Sequence, residues 1–202
     1  YIELQSQTND LVMGTHGRGV IIIDDISPLR EINEENLSNK LYFFDRDKFE
    51  IQEFGGFSDS FGRETQFFGA NPSLSCEIQY LLPKRHTFGK MSMEIQDMDG
   101  NKITTLNPGK SKGINTVNWS YNMRTPKIAK AKTLSFGGFT SPTVPAGDYK
   151  VVIKKGRDTF EKVINVAYKN NAGLSDYDRK FQYETVMKLF NMTEELAYMV
   201  YV

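Results

Sequence analysis

Between Leu74 and Tyr168 the apolar residues come in short alternating runs, broken by turn residues at fairly regular intervals. A period of two puts every second side chain on one face of a strand, so each run can bury one face and leave the other in water. Cys76, Ile78 and Tyr80 alternate in this way, as do Met91, Met93 and Ile95. Asp97-Met98-Asp99-Gly100-Asn101-Lys102 supplies a hairpin turn, and Ile103 with Leu106 carries the returning strand. Gly113 to Trp119 gives another strand, and Pro145-Ala146-Gly147-Asp148-Tyr149 opens the next. There Tyr149, Val151 and Ile153 share one face, partnered by Val163, Ile164 and Val166 beyond the turn at Lys155-Gly156-Arg157-Asp158. Several short strands with turns between them predict a β-sandwich over residues 74–168.

The flanks read differently. Residues 1–25 hold three short runs: Ile2 and Leu4, then Leu11-Val12-Met13, then Val20-Ile21-Ile22-Ile23. Asn9-Asp10 is a turn signal, and Gly14-Thr15-His16-Gly17-Arg18-Gly19 is a Gly-rich turn. The β-branched Ile run is too short for a helix and predicts a strand buried on both faces. Ser27-Pro28-Leu29-Arg30-Glu31 opens a short helix or turn that reaches Asn39, with Ser as cap and Pro in the first turn. Residues 41–72 scatter eight Phe among Gly, Ser and charges, with 55–62 reading as a loop. Aromatic plugs beneath a long connection account for that stretch better than a ligand-stacking surface. After a linker at 170–173, Ser175 and Asp178 form a capping box with Asp in place of Glu. Phe181, Met187, Leu189, Phe190, Leu196 and Val200 then recur at helical spacing, so an amphipathic helix occupies residues 174–202.

Composition narrows the chemistry. Of 202 residues, 25 are Lys or Arg and 25 are Asp or Glu, so the formal charge is zero. Summed over the chain, that removes a strong electrostatic case for nucleic acid or an anionic membrane. A single cysteine, Cys76, excludes an intrachain disulfide or a multi-thiolate metal site, and two histidines, His16 and His86, leave little for a zinc site. No run approaches the ~18 apolar residues of a membrane-spanning helix. The start at Tyr1 and a helix still in progress at Val202 fit a piece of a longer polypeptide.

Asn9-Asp10-Leu11-Val12-Met13-Gly14-Thr15-His16-Gly17-Arg18-Gly19, followed by Val20-Ile21-Ile22-Ile23-Asp24-Asp25-Ile26-Ser27-Pro28-Leu29-Arg30, resembles the closing blade of sortilin-type BNR-repeat β-propellers. The repeat's Asp-box, Ser-x-Asp-x-Gly-x-Thr-Trp, is absent, and Asp24-Asp25-Ile26-Ser27 stands where it would begin, as in a chain leaving the propeller. Over residues 74–168, the order Met-x-Met-x-Ile-x-Asp-x-x-Gly-x-x-Ile, Gly-Ile-Asn-x-x-x-Trp and Pro-Ala-Gly-Asp-Tyr-x-Val-x-Ile resembles the flagellar hook-capping type of Ig-like domain. Together the resemblances imply a mainly β chain. Closing strands of a β-propeller blade occupy 1–27, a helical and Phe-rich connector 28–73, an Ig-like β-sandwich 74–168, and a C-terminal α-helix 174–202. They imply a secreted or cell-envelope bacterial protein, and this chain as its non-catalytic C-terminal part, giving structural support, domain docking or partner binding. An upstream propeller segment or another chain would cover residues 1–27, and a polysaccharide or cell-surface protein is a further partner class. Two alternatives stay open: a glycoside hydrolase whose carboxylates lie in an upstream propeller, and a carbohydrate-binding or cell-surface sorting module.

The chain offers few chemical groups of its own. On the propeller resemblance, the turn of His16 and Arg18 falls on the face where propellers bind ligands. Arg18 could then fork onto a carboxylate or sugar hydroxyls with neutral His16 beside it. The competing role is hydrogen bonding across to a neighbouring blade, the commoner use of polar residues in tight turns. The glycines run G-x-x-G-x-G with no helix after them, so a dinucleotide site fails. Asp24 and Asp25 lack a second placed carboxylate for glycosidic chemistry and, as strand neighbours, point to opposite faces. They read as strand-ending or capping residues. Asp97 and Asp99 lack the terminal Glu of a calcium loop. Cys76 reads as a buried thiol rather than a partner for His16 or His86, and Trp119 and Tyr121 read as core aromatics. No catalytic set, metal site, cofactor or nucleic-acid surface is implied.

Overall fold

The computed structural model describes residues 1–51, 74–129, 141–169 and 174–201; the expected loop at 55–62 and linker at 170–173 lie outside the described residues. The fold is mainly β, with several sheets and a C-terminal helix.

The first sheet is an antiparallel meander of β1 (Ile2–Gln5), β2 (Asp10–Gly14) and β3 (Val20–Ile23). Gly17 and Gly19 hold φ values of 94° and 74° in the β2–β3 turn, which a side chain would resist. The Thr15 amide and hydroxyl both donate to Gly19 O there, at 3.0 and 2.8 Å. Ile2, Met13 and Ile21 face one another across the strands, as do Leu4, Leu11 and Ile23. Cross-strand partners share a face, so six aliphatic side chains lie on one side. The doubly buried strand expected at Ile21 to Ile23 is corrected: every residue of β3 is exposed, because no described element packs over the sheet.

Two short helices follow, α1 (Ser27–Glu31) and α2 (Glu34–Ser38). Ser27 does not cap α1; the flanking Ile26 has no side chain to do so, and Asp25 Oδ1 accepts from the Ser27 amide instead, at 3.1 Å. Asn33 caps α2 through its Oδ1 and the Asn36 amide at 2.8 Å.

The remaining strands form two sheets. One runs β4 (Tyr42–Phe43), β6 (Cys76–Leu82), β9 (Gly113–Trp119). The other runs β5 (Lys48–Ile51), β11 (Asp158–Tyr168), β10 (Gly147–Lys155), β7 (Met91–Gln96), β8 (Lys102–Leu106). β4 and β5 come from the stretch that the sequence assigns to a connector. They join opposite sheets, and β5 pairs parallel to β11 while the other pairs are antiparallel. The alternation predicts the inner faces well: Cys76, Ile78, Tyr80 and Leu82 meet Met91, Met93, Ile95, Trp119, Tyr149, Val151, Ile153, Ile164 and Val166 in one apolar cluster. Val163, counted by the sequence with its neighbours, turns outward, as period two requires beside buried Ile164.

α3 (Asp176–Tyr201) begins on the expected capping box: Ser175 Oγ accepts from the Asp178 amide at 3.2 Å, and Asp178 Oδ2 accepts from the Ser175 amide at 3.2 Å. Phe190 and Ala197 are its buried residues, and the helix meets the segment after β9, with Tyr183 OH reaching Met123 Sδ at 3.9 Å and Glu194 accepting from the Lys127 amide at 2.9 Å. Arg124 lies 4.9 Å over the Phe190 ring and forks onto Glu194, with Nη2 to Oε2 at 2.8 Å. Phe181, Leu189, Leu196 and Val200, which the periodicity places with the buried stripe, are exposed.

Candidate functional site

The sequence-derived candidates do not converge. His16 and Arg18 sit exposed on the β2–β3 turn and make no hydrogen bond or ion pair among the described residues. Neither lines the cleft at Asp25 and Arg46 described below. Asp25 has a different role. It adopts φ of 43°, its amide donates to Asp10 Oδ1 at 3.0 Å, and its Oδ2 stands 3.6 Å from Arg46 Nη1. Arg46 also pairs with Glu77 at 3.3 Å, so Asp25 and Glu77 share one guanidinium between the first sheet and the core. Asp97 closes its hairpin: Oδ1 accepts from the Asn101 amide at 2.8 Å and Oδ2 from the Asn101 side chain at 2.9 Å. Those bonds hold its carboxyl below the usual range. Cys76 is fully buried, and desolvation pushes its thiol up to about 12, which makes it inert at neutral pH. Trp119 is 2% exposed, donates to Asn122 O at 3.0 Å, and packs on Tyr121 and Tyr149 at 5.6 and 5.7 Å. It belongs to the core.

A cleft of about 230 Å³ lies where the first sheet meets the core, lined among others by Asp25, Glu31, Asp45, Arg46 and Gln79. Glu31 accepts from Tyr42 OH at 2.9 Å and from the Asp45 amide at 3.0 Å. Beside it, the Lys162 ammonium donates to Phe44 O; burial lowers its pKa, against the pull of Asp45, Asp47 and Glu31. Gln79 Oε1 is buried with no hydrogen-bond partner among the described residues. These groups clamp backbone to side chain. They contain no nucleophile with an adjacent base, and no three potential ligands among the described residues are grouped to hold a metal.

The feature sequence reasoning missed is an assembled one. At the far end of the core, three loops meet: 83–90 between β6 and β7, 107–112 between β8 and β9, and the β10–β11 turn. The His86 amide donates to Lys110 O at 3.0 Å, and the Gly156 amide to Lys90 O at 3.2 Å. Lys84, Arg85, Lys90, Lys110, Lys112 and Arg157 project there, all exposed and none in an ion pair among the described residues. Residues 83–90 and 107–113 contain no Asp or Glu. Phe88 stands at the tip of its loop, 88% exposed. The loops are braced from beneath: Tyr80 OH donates to Gly109 O at 2.6 Å, and buried Asn115 bonds Ser111 N, Ser111 O and Gly113 O at 3.1, 2.8 and 3.0 Å. The signal in the sequence was local charge, Lys84-Arg85-His86 and Lys110-Ser111-Lys112, which a whole-chain sum averages away.

No family model, curated protein or solved structure matches the chain.

Proposed function

We propose that this chain is the non-catalytic C-terminal part of a secreted bacterial β-propeller protein, in which the first sheet is a closing blade and the two-sheet core an Ig-like domain that supports it. The single observation that carries the reading is the apolar face of Ile2, Leu4, Leu11, Met13, Ile21 and Ile23, on which Ile2, Leu4, Ile21 and Ile23 are exposed and the central Leu11 and Met13 half-buried. A lone small sheet with such a face is marginal in water, and the face is complementary to another apolar sheet. The occupant we infer is the upstream propeller of the same polypeptide.

Hydrogen exchange on the isolated chain tests this. The amides of Leu11 to Ile23 should exchange rapidly while those of Met91 to Ile95 and Val151 to Ile153 stay protected. Equal, strong protection of both regions in a monomer would make the first sheet self-sufficient and refute the blade assignment.

A further inference from the structure

The basic end of the core has a use independent of the propeller reading. Five Lys or Arg on residues 83–90 and 107–113, joined by Arg157, form a cationic surface without an intervening carboxylate on those two loops. The nearby strand-end carboxylate, Asp158, is already taken by Lys40 at 2.8 Å. Phe88 projects from the middle of this charge with 88% of its surface in water, and Gly89 beside it holds φ of 87° to turn the loop tip. An exposed phenyl ring is unfavourable in water and carries no polar atom to bind a sugar hydroxyl or a base edge.

We propose that this pole docks on an anionic phospholipid bilayer, with Phe88 entering the interface and Lys84, Arg85, Lys90, Lys110 and Lys112 meeting headgroup phosphates. Charge complementarity supplies the attraction, since juxtamembrane cations are each drawn to an anionic leaflet. An apolar anchor beside a basic patch combines the two kinds of signal, apolar insertion and charge attraction, that strengthen peripheral membrane binding beyond either alone. Geometry favours a bilayer over a flexible polyanion. The cations and Phe88 stand on projecting loop tips, and neither cleft described in the molecule, at Asp25 and Arg46 or at Ile51 and Tyr121, lies at this end. Single-stranded nucleic acid would call for successive stacking rings, and these loops carry one. The braces from Asn115 and Tyr80 hold the loops in place before contact, which lowers the ordering cost on binding.

The test is co-sedimentation of the chain with vesicles of phosphatidylcholine alone and of phosphatidylcholine with about one-third phosphatidylglycerol. Binding should appear on the anionic vesicles only and weaken as salt rises. Lys84→Ser with Lys110→Ser should weaken it by about twenty-fivefold, taking about fivefold per cation. Phe88→Ser should weaken it by about tenfold or more. All three positions are exposed, so circular dichroism should report unchanged folding. No binding to anionic vesicles would overturn the proposal, as would binding that ignores these substitutions. Capture by soluble dextran sulfate that competes fully and is indifferent to Phe88→Ser would replace the bilayer with a polyanion site and equally overturn it.

Discussion

Raising the pH above 10 should destabilise this chain through a few buried phenols. The chain has ten tyrosines. Tyr80 is fully buried and Tyr121 is 4% exposed, and desolvation pushes both up to about 12. Tyr149 is buried likewise and raised by the same cause. An unfolded tyrosine has a pKa near 10. At about pH 11 it is therefore roughly nine-tenths ionised in the unfolded chain, while the folded phenol is roughly one-tenth ionised. Because the folded state holds more protons in this window, stability is fully present below pH 10 and falls as pH rises above it. The loss is about 1.4 kcal/mol per phenol at about pH 11, so Tyr80 and Tyr121 together remove about 3 kcal/mol and Tyr149 adds to it. That is a large part of the 5–15 kcal/mol usual for a domain. Lys162 acts in the opposite sense, since its pKa is lowered on folding. Its gain is complete once the pH passes its unfolded value near 10.4, so it offsets part of the phenolic loss below that pH and none of the further loss above it, and Lys162→Met separates the two. Urea unfolding followed by circular dichroism at about pH 8 and pH 11 measures the difference, and Tyr80→Phe should remove about 1.4 kcal/mol of it. Tyrosinate absorbance showing all ten phenols ionising together near pH 10 in a still-folded protein would refute the reasoning.

Trp119→Ala should cost about 3–5 kcal/mol, since it empties a buried site between Tyr121 and Tyr149 and strips Asn122 O of its donor; a shift in urea midpoint under about 1 kcal/mol would contradict that packing. Gly109→Ala would place a Cβ 2.4 Å from Asn115 Oδ1. It should destabilise by about 1–3 kcal/mol and speed exchange of the Ser111 amide, which that oxygen holds, whereas an unperturbed amide would show the loop can give way.

Period-two alternation made the core legible because a strand with one wet face has little freedom in which residues it buries. Cys76 to Tyr80, Met91 to Ile95 and Tyr149 to Ile153 therefore landed where the pattern put them. β4 and β5 did not stand out. They are short edge strands, Tyr42–Phe43 and Lys48–Ile51, whose place depends on pairing with residues far along the chain. In Val20-Ile21-Ile22-Ile23 the pattern gave the right element and the wrong environment. Apolar residues on both faces state a demand for burial, and sequence cannot say whether this chain or a neighbour meets it. In α3 the apolar residues occupy more than one stripe, so periodicity identified the helix while packing chose Phe190 and Ala197 over Leu189 and Leu196.

The turn that carries Arg18 and the basic loops at the end of the core differ in what lies beneath them. Arg18 and His16 ride on a turn held by its own Thr15–Gly19 bonds, on a sheet that no described element covers. A ligand there would have to order the turn as well as bind it, and that ordering subtracts from affinity. Lys110 and Lys112 flank Ser111, whose amide and carbonyl are both bonded to a side chain, Asn115, that is only 6% exposed. Lys84 and Arg85 precede His86, whose amide is bonded to Lys110 and whose ring lies 3.2 Å from Gly89 O. Burying a polar amide stabilises a fold only when all its partners are supplied, so a loop built on one is fixed in a single geometry. Preorganisation of this kind separates a presented surface from charges that merely keep a protein soluble. On that criterion the 83–90 and 107–113 loops are the better preorganised of the two, and the Gly14–Gly19 turn would match them once a neighbouring sheet held it.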